Sequence, residues 1–161
     1  GTVLLITWTF AFLNFQEAEV KARDIQRKND LKHIATALND YRNTVRGYPF
    51  AQDGKILACG DGFESVCLWG QNAIIDPQNP EYLYINPLPQ DPSAGGGHDY
   101  IYLSDGRNFQ IYASLERRSD DEYNKSIIKR SLLCGKKTCN FGVGSSNDLP
   151  LDRDLESLPS E

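Results

Sequence analysis

The stretch Lys21-Ala-Arg-Asp-Ile-Gln-Arg-Lys-Asn-Asp-Leu-Lys-His-Ile-Ala-Thr-Ala-Leu-Asn-Asp-Tyr41 decides the fold. It lies within a run from Glu17 to Arg46 that contains no Gly or Pro and intersperses charges of both signs, among them Lys21, Arg23, Asp24, Arg27, Lys28, Asp30 and Lys32. Such a run predicts one long helix. In its second half Leu31, Ile34, Ala35, Leu38, Tyr41 and Val45 recur at the three- and four-residue spacing of a single helix face, so residues 31–45 are expected to lie on a core. Between Glu17 and Lys28 the apolar positions thin to Ala18, Val20, Ala22 and Ile25, the pattern of a solvated or subunit-contacting neck. Gly47-Tyr48-Pro49 is expected to stop the helix, glycine taking the left-handed C-terminal position and proline being unable to continue the hydrogen-bond ladder.

Upstream, residues 1–16 carry no charge and include Val3, Leu4, Leu5, Ile6, Trp8, Phe10, Phe12, Leu13 and Phe15. As a helix they span about 24 Å, short of the roughly 30 Å hydrocarbon core of a bilayer. No Lys or Arg precedes them and no small-residue cleavage site follows, which disfavours a secretory signal. A buried core element is one reading; the other is the C-terminal portion of a longer membrane helix, an expectation that fits a chain without Met even at position 1. Joined to the neck without a break, the segment makes a rod of about 70 Å, longer than the rest of the chain can cover.

The 161 residues suffice for one domain. The net charge of −5 comes mostly from residues 148–161, where five acids face Arg153 alone. The remainder is nearly neutral and offers no broad basic surface, so binding to a nucleic-acid backbone is not expected.

After Pro49 the composition turns to Gly, Pro, Asn and Asp, and residues 50–92 read mainly as loop, with a short helix suggested near Gly70–Ile75. Asp99–Leu103 and Asn108–Leu115 are expected to pair as strands across Ser104-Asp105-Gly106-Arg107, whose Asp-Gly pair carries hairpin chemistry. Phe109, Ile111, Ala113 and Leu115 alternate with polar neighbours and should pack on the helix stripe. Ser126–Cys134 reads as a third strand, and residues 142–161 as an irregular tail.

Chemistry-bearing motifs are sparse. Cys59 with Cys67 and Cys134 with Cys139 form two local pairs, each able to close a small loop as a disulfide stabilising by about 2–3 kcal/mol. Three pairings are open to four cysteines, and zinc is the rival, although the seven residues between Cys59 and Cys67 exceed knuckle spacing. His33 and His98 lie near no hydrolase or metalloprotease pattern and read as surface residues. Asp120-Asp121-Glu122 reads as solvated, with calcium as a lesser alternative because the spaced acidic pattern of a calcium loop is absent. Gly95-Gly-Gly97 lacks the Lys-Ser/Thr of a phosphate loop and reads as a turn. Asn124-Lys125-Ser126 is a formal glycosylation sequon. No catalytic residue, metal site or cofactor is assigned.

The quoted stretch, with Gly47-Tyr-Pro49 after it, resembles the type IV pilin and type II secretion pseudopilin family. So do Leu88-Pro-Gln-Asp-Pro92, Tyr100-Ile-Tyr102 and Phe109-Gln-Ile-Tyr-Ala-Ser-Leu-Glu116, which are similar to the loop and hairpin that follow in many pilin-like proteins. The resemblance covers roughly residues 1–116. It implies an α+β subunit, a long N-terminal helix packed on a small antiparallel sheet, that a prepilin peptidase processes. The helix would hold the subunit in the cytoplasmic membrane until assembly machinery draws it into a helical homopolymer at the cell surface. Val3, Leu4, Leu5, Ile6, Trp8, Phe10, Phe12, Leu13 and Phe15 would then be the subunit contacts, neighbouring helices replacing acyl chains. Family members usually carry a glutamate near the new N-terminus; here no acid precedes Glu17, and that contact is not assigned.

The expected organisation is therefore a helix over 1–47, apolar in 1–16 and amphipathic in 17–47. A head over 48–161 follows, with loop 50–92, hairpin 99–116 and C-terminal region 117–161. The expected role is a non-enzymatic filament subunit, major pilin and pseudopilin being unresolved. A minor pilin or membrane-tethered adhesin is the alternative, with the 50–92 loop and the 117–161 region as its ligand surface.

Overall fold

A computed structural model describes the backbone of residues 2–155 and the side chains of residues 15–155. A single helix, α1, runs over Thr2–Val45, about 66 Å at 1.5 Å per residue. Its stripe is buried as the spacing requires: Leu31, Ile34, Ala35, Leu38 and Tyr41 are all in the core, with Ala37 beside them. Val45 is the exception, 37% exposed, because the helix has by then reached the rim of the head. Termination differs from the expectation in one residue. Arg46, not Gly47, takes the left-handed conformation, at φ 65°, and its amide donates to the Arg42 carbonyl at 2.8 Å. Gly47 instead passes close to the Gly106 carbonyl, to which the Tyr48 amide donates at 2.9 Å.

The expected hairpin is present. With β1 at Phe50–Gln52, β2 at Lys55–Cys59, β3 at Ser65–Val66, β4 at Ile74–Ile75 and β5 at Leu83–Ile85, its two strands are β6 at Ile101–Ser104 and β7 at Phe109–Ala113. They pair antiparallel with Ser104 opposite Phe109. Asp105 Oδ1 closes the turn by accepting from the Arg107 and Asn108 amides at 2.8 and 2.6 Å. Strand β7 is buried on both faces. Phe109, Ile111 and Ala113 join the helix stripe in the main core, while Tyr112 belongs to a second cluster with Ile127, Cys134 and Cys139. The polar residue between them is also covered: Gln110 Nε2 donates to the Pro150 and Arg153 carbonyls at 2.6 and 3.0 Å.

Two readings are corrected, and the loop region gains short strands. Within residues 50–92 five short strands lie between turns and loops: β1, β2 and β3 form an antiparallel sheet, and β4 pairs with β5. These strands are two to five residues long, too short for alternation to register. The short helix near Gly70–Ile75 is absent; Asn72 Oδ1 accepts from the Leu68 amide in a turn that leads into β4. Ser126–Cys134 is not a strand. It opens with the single-turn helix α2, Lys125–Ile128, whose N-cap Asn124 accepts from the Ser126 amide at 2.8 Å, and reaches the short strand β8 only at Leu133–Cys134.

The third strand of the central sheet runs into the region read as an irregular tail, 142–161. After β9, Lys137–Thr138, comes β10, Phe141–Gly144, which pairs antiparallel with β7 to give the order β10-β7-β6. Two glycines conceal its pattern. A Cβ at Gly142 would stand 2.6 Å from the Tyr112 ring, so glycine is what lets that ring lie across β10. Farther along, Tyr112 Oη donates to the Leu151 carbonyl at 3.0 Å and Leu155 is buried; residues 156–161 lie outside the described residues.

Both local cysteine pairs are disulfides, Cys59 to Cys67 and Cys134 to Cys139, each with Cα atoms 5.2 Å apart. No free thiol is left to bind zinc.

The stripe sets a stability contrast along one helix. Leu38→Ala, at a fully buried position, is expected to lower unfolding free energy by about 2–5 kcal/mol. Val45→Ala should change it by less than about 1 kcal/mol. Urea titrations of the two variants beside the parent chain check the pair.

Candidate functional site

The helix stripe does not end at Leu31. Stepping back by four and then three residues reaches Arg27 and Asp24, and both are completely buried. The neck was read as solvated or subunit-contacting, and at these two positions that reading is corrected. Arg27 is enclosed by three carboxylates. Its Nε and Nη2 donate to Asp91 Oδ2 and Oδ1 at 2.8 and 3.0 Å, a bidentate pair. Nη1 donates to Asp24 Oδ1 at 2.8 Å and to Glu116 Oε1 at 2.7 Å, and Nη2 also reaches Ser93 Oγ at 3.0 Å.

The carboxylates tie the helix to two parts of the head, the turn that carries Asp91 and the chain leaving β7 at Glu116. Asp91 comes from the Leu88-Pro-Gln-Asp-Pro92 turn, where Leu88 is buried and Asp91 Oδ1 accepts from the Ser93 amide. Asp24 accepts from the Glu116 and Arg117 amides at 2.9 and 3.0 Å, satisfying backbone donors where the chain leaves β7. Glu116 is gripped a second time by Arg23, whose Nε and Nη2 donate to it at 2.8 and 2.7 Å. One turn on, Lys28 Nζ pairs with Asp120 at 3.0 Å and with Glu122 at 3.0 Å. The acids read as solvated or as a calcium loop therefore already face a cation, except for exposed Asp121. Tyr100 Oη donates to Asp30 Oδ2 at 2.7 Å.

Proton affinities follow the geometry. The Arg23 hydrogen bonds hold the Glu116 carboxyl down at about 2 against the opposing effect of burial, with Arg27 assisting. Burial pulls the Arg27 guanidinium down, but hydrogen bonds to Asp91, Glu116 and Asp24 outweigh it and raise the group above its ordinary value. Burial raises Asp30, and burial with the Asp30 contact raises Tyr100.

On the opposite side of α1 the neck is bare. At 100° per residue Phe15, Ala18, Ala22 and Ile25 fall within one quadrant, roughly half a turn from Asp24, Arg27 and Leu31. All four are exposed, Phe15 at 62% and Ile25 at 44%. Arg23 is the first helix residue, among those described, with a side-chain hydrogen bond to the head. The side chains of Val3, Leu4, Leu5, Ile6, Trp8, Phe10, Phe12 and Leu13 lie outside the described residues. Among the described residues no helix is long and apolar enough to cross a membrane, and no three His, Cys, Asp or Glu side chains are grouped to hold a metal ion. His33 is exposed; His98, read as a surface residue, is half-buried with its Nδ1 enclosed.

Sequence reading missed Asp24 and Arg27 because charge on a helix ordinarily marks its solvated side. The available signal was their position: 24, 27, 31, 34, 38 and 41 keep one unbroken three-four spacing.

Arg27→Leu removes the cation from two fully buried carboxylates and is expected to destabilise the head by about 3–5 kcal/mol. The acid limb tests Glu116. Its folded value lies below the ordinary 4.5, so the stability it contributes is complete above about 4.5 and is lost as pH falls toward about 2. Chemical denaturation from pH 6 to 2 should show that loss in the parent chain and a flatter profile in Glu116→Gln.

No family model matches the chain, and no curated protein or solved structure shows significant similarity to it.

Proposed function

We propose that this chain is a structural, non-enzymatic subunit of a type IV pilin-like or pseudopilus filament, polymerising through its N-terminal helix. The observation that carries the reading is the two-sidedness of α1. One face is fastened to the head by the Arg27 cluster and the apolar stripe, and the other presents Phe15, Ala18, Ala22 and Ile25, all exposed. Two small residues, Ala18 and Ala22, flanked by the larger Phe15 and Ile25 let helices approach closely, the arrangement favoured where helices pack without a large hydrophobic gain. Uncharged residues 2–16 continue the same rod, so copies stacked along an axis would bury them together.

The order of motifs from Lys21 to Glu116 supports the same reading, and two disulfides suit a head exposed to an oxidising exterior. By the same resemblance the subunit waits in the cytoplasmic membrane, is processed by a prepilin peptidase and is assembled at the cell surface. The alternative of a binding subunit confined to filament tips differs in stoichiometry.

Ile25→Lys and Phe10→Asp, made separately, are expected to abolish or strongly reduce polymer while leaving the thermal unfolding of the head unchanged. Ile25 is 44% exposed and belongs to neither core cluster among the described residues. Electron microscopy of surface filaments together with near-UV circular dichroism checks both. Normal filaments from either variant count against this packing, and a chain found only at tips favours the binding subunit.

A further inference from the structure

The Cys134–Cys139 disulfide closes a hairpin, Cys-Gly-Lys-Lys-Thr-Cys, that is docked on the chain around His98. The Lys136 amide donates to the Gly97 carbonyl at 2.7 Å, the Asp99 amide donates to the Cys134 carbonyl at 3.2 Å, and His98 bridges Gly135. Gly135 sits at φ 74°, and a Cβ there would stand 2.4 Å from the Gly97 carbonyl oxygen, so this approach is open only to glycine. Between the hairpin and the segment leaving β7 lies an open cleft of about 430 Å³, whose polar lining is His98, Ser114, Glu116, Arg118, Lys137 and Thr138, with Asn140 at its base.

The polar groups of this cleft are unevenly used. Asn140 is fully occupied, accepting from the Leu115 amide and donating to the Leu115 carbonyl. Glu116, the one carboxylate present, is held by Arg23 and Arg27. Ser114 is only 5% exposed, and among the described residues its hydroxyl has no hydrogen-bond partner. The enclosed Nδ1 of His98 is equally unpartnered. Arg118 and Lys137 are exposed, and neither makes an ion pair among the described residues, although most cations on the adjoining helix face do. Buried polar groups without partners are costly in a folded chain, and a fork-shaped guanidinium beside an ammonium is complementary to an oxyanion.

We propose that this cleft binds a sugar-sized oxyanion, a monosaccharide carrying a carboxylate or a phosphate. Arg118 and Lys137 engage the charge, while Ser114 and Thr138 meet ring hydroxyls. The volume lies within the range of small-ligand sites, and the disulfide keeps the Lys137-Thr138 side in place. The site is distinct from the bare helix face and stands whether or not the chain polymerises.

The test is a titration of the full isotope-labelled chain with glucuronate, glucose 1-phosphate, glucose and inorganic phosphate, read as amide shifts at His98, Ser114 and Thr138. Saturable shifts at millimolar concentration or below are expected with one charged sugar, and which of the two produces them identifies the anion. Glucose and inorganic phosphate should bind at least about tenfold more weakly, and the Arg118→Ala/Lys137→Ala double variant should lose at least about tenfold. Both side chains are exposed and unpaired, so the variant is expected to keep its fold, and its unperturbed amide spectrum away from the cleft verifies this. The proposal is overturned if neither charged sugar gives saturable shifts, if glucose or phosphate binds equally well, or if the double variant keeps parental affinity.

Discussion

The architecture depends on one cation placed where a hydrophobic residue would ordinarily sit. Arg27 occupies a core position of α1 and has no solvent exposure, so its charge must be answered inside the protein. Asp24 from the same helix, Asp91 from the proline-rich turn and Glu116 from the end of β7 answer it. Against a well-packed apolar substitute such a cluster gains little net stability, because desolvation offsets much of the attraction. What it provides is a single docking. Sliding the helix by one turn would carry Arg27 and Asp24 together away from Asp91 and Glu116, whereas an apolar stripe of Leu, Ile and Ala tolerates small shifts far better.

From that anchor the division of labour along the helix follows. Beyond Arg27 the stripe Leu31, Ile34, Leu38 and Tyr41 is covered by β7, β5 and β10. Before Arg23 no side chain among those described is hydrogen-bonded to the head, and the uncovered Phe15, Ala18, Ala22 and Ile25 turn away from it. A rod held at one end and on one side, with exposed Phe15, Ala18, Ala22 and Ile25 on the other, is the geometry that the proposed helical polymer would require. The same clamp fixes the strand exit at Glu116 and so one wall of the cleft beside Arg118.

Much of this was legible in the residues, for physical reasons that differ by element. The helix and its stripe are long and strictly periodic, and the Asp105-Gly106 hairpin announces itself by turn chemistry. Asp53-Gly54 carries the same signal between β1 and β2, with φ of 50° and 71°, but its strands are too short to stand out around it. Strand β10 is hidden because Gly142 and Gly144 were selected by the close approach of the Tyr112 ring and Leu149, a tertiary demand without local trace. The Ser126–Cys134 segment has the composition of a strand, yet the Asn124 cap and the left-handed Ser131, at φ 56°, turn it into a helical turn and a bend. Burial of Asp24 and Arg27 depends on partners 64 and more than 90 residues away, beyond the reach of a local pattern.

Residue-resolved hydrogen exchange along α1 in the full chain tests the anchor most directly. If the Arg27 cluster fixes the helix to the head, amides from Asp24 to Tyr41 exchange only through global unfolding, and protection drops sharply toward the N-terminus between Arg23 and Phe15. Exchange at Asp24 to Arg27 as fast as at Phe15 to Val20 would contradict the account, because the buried cation would then not be what holds the head in place.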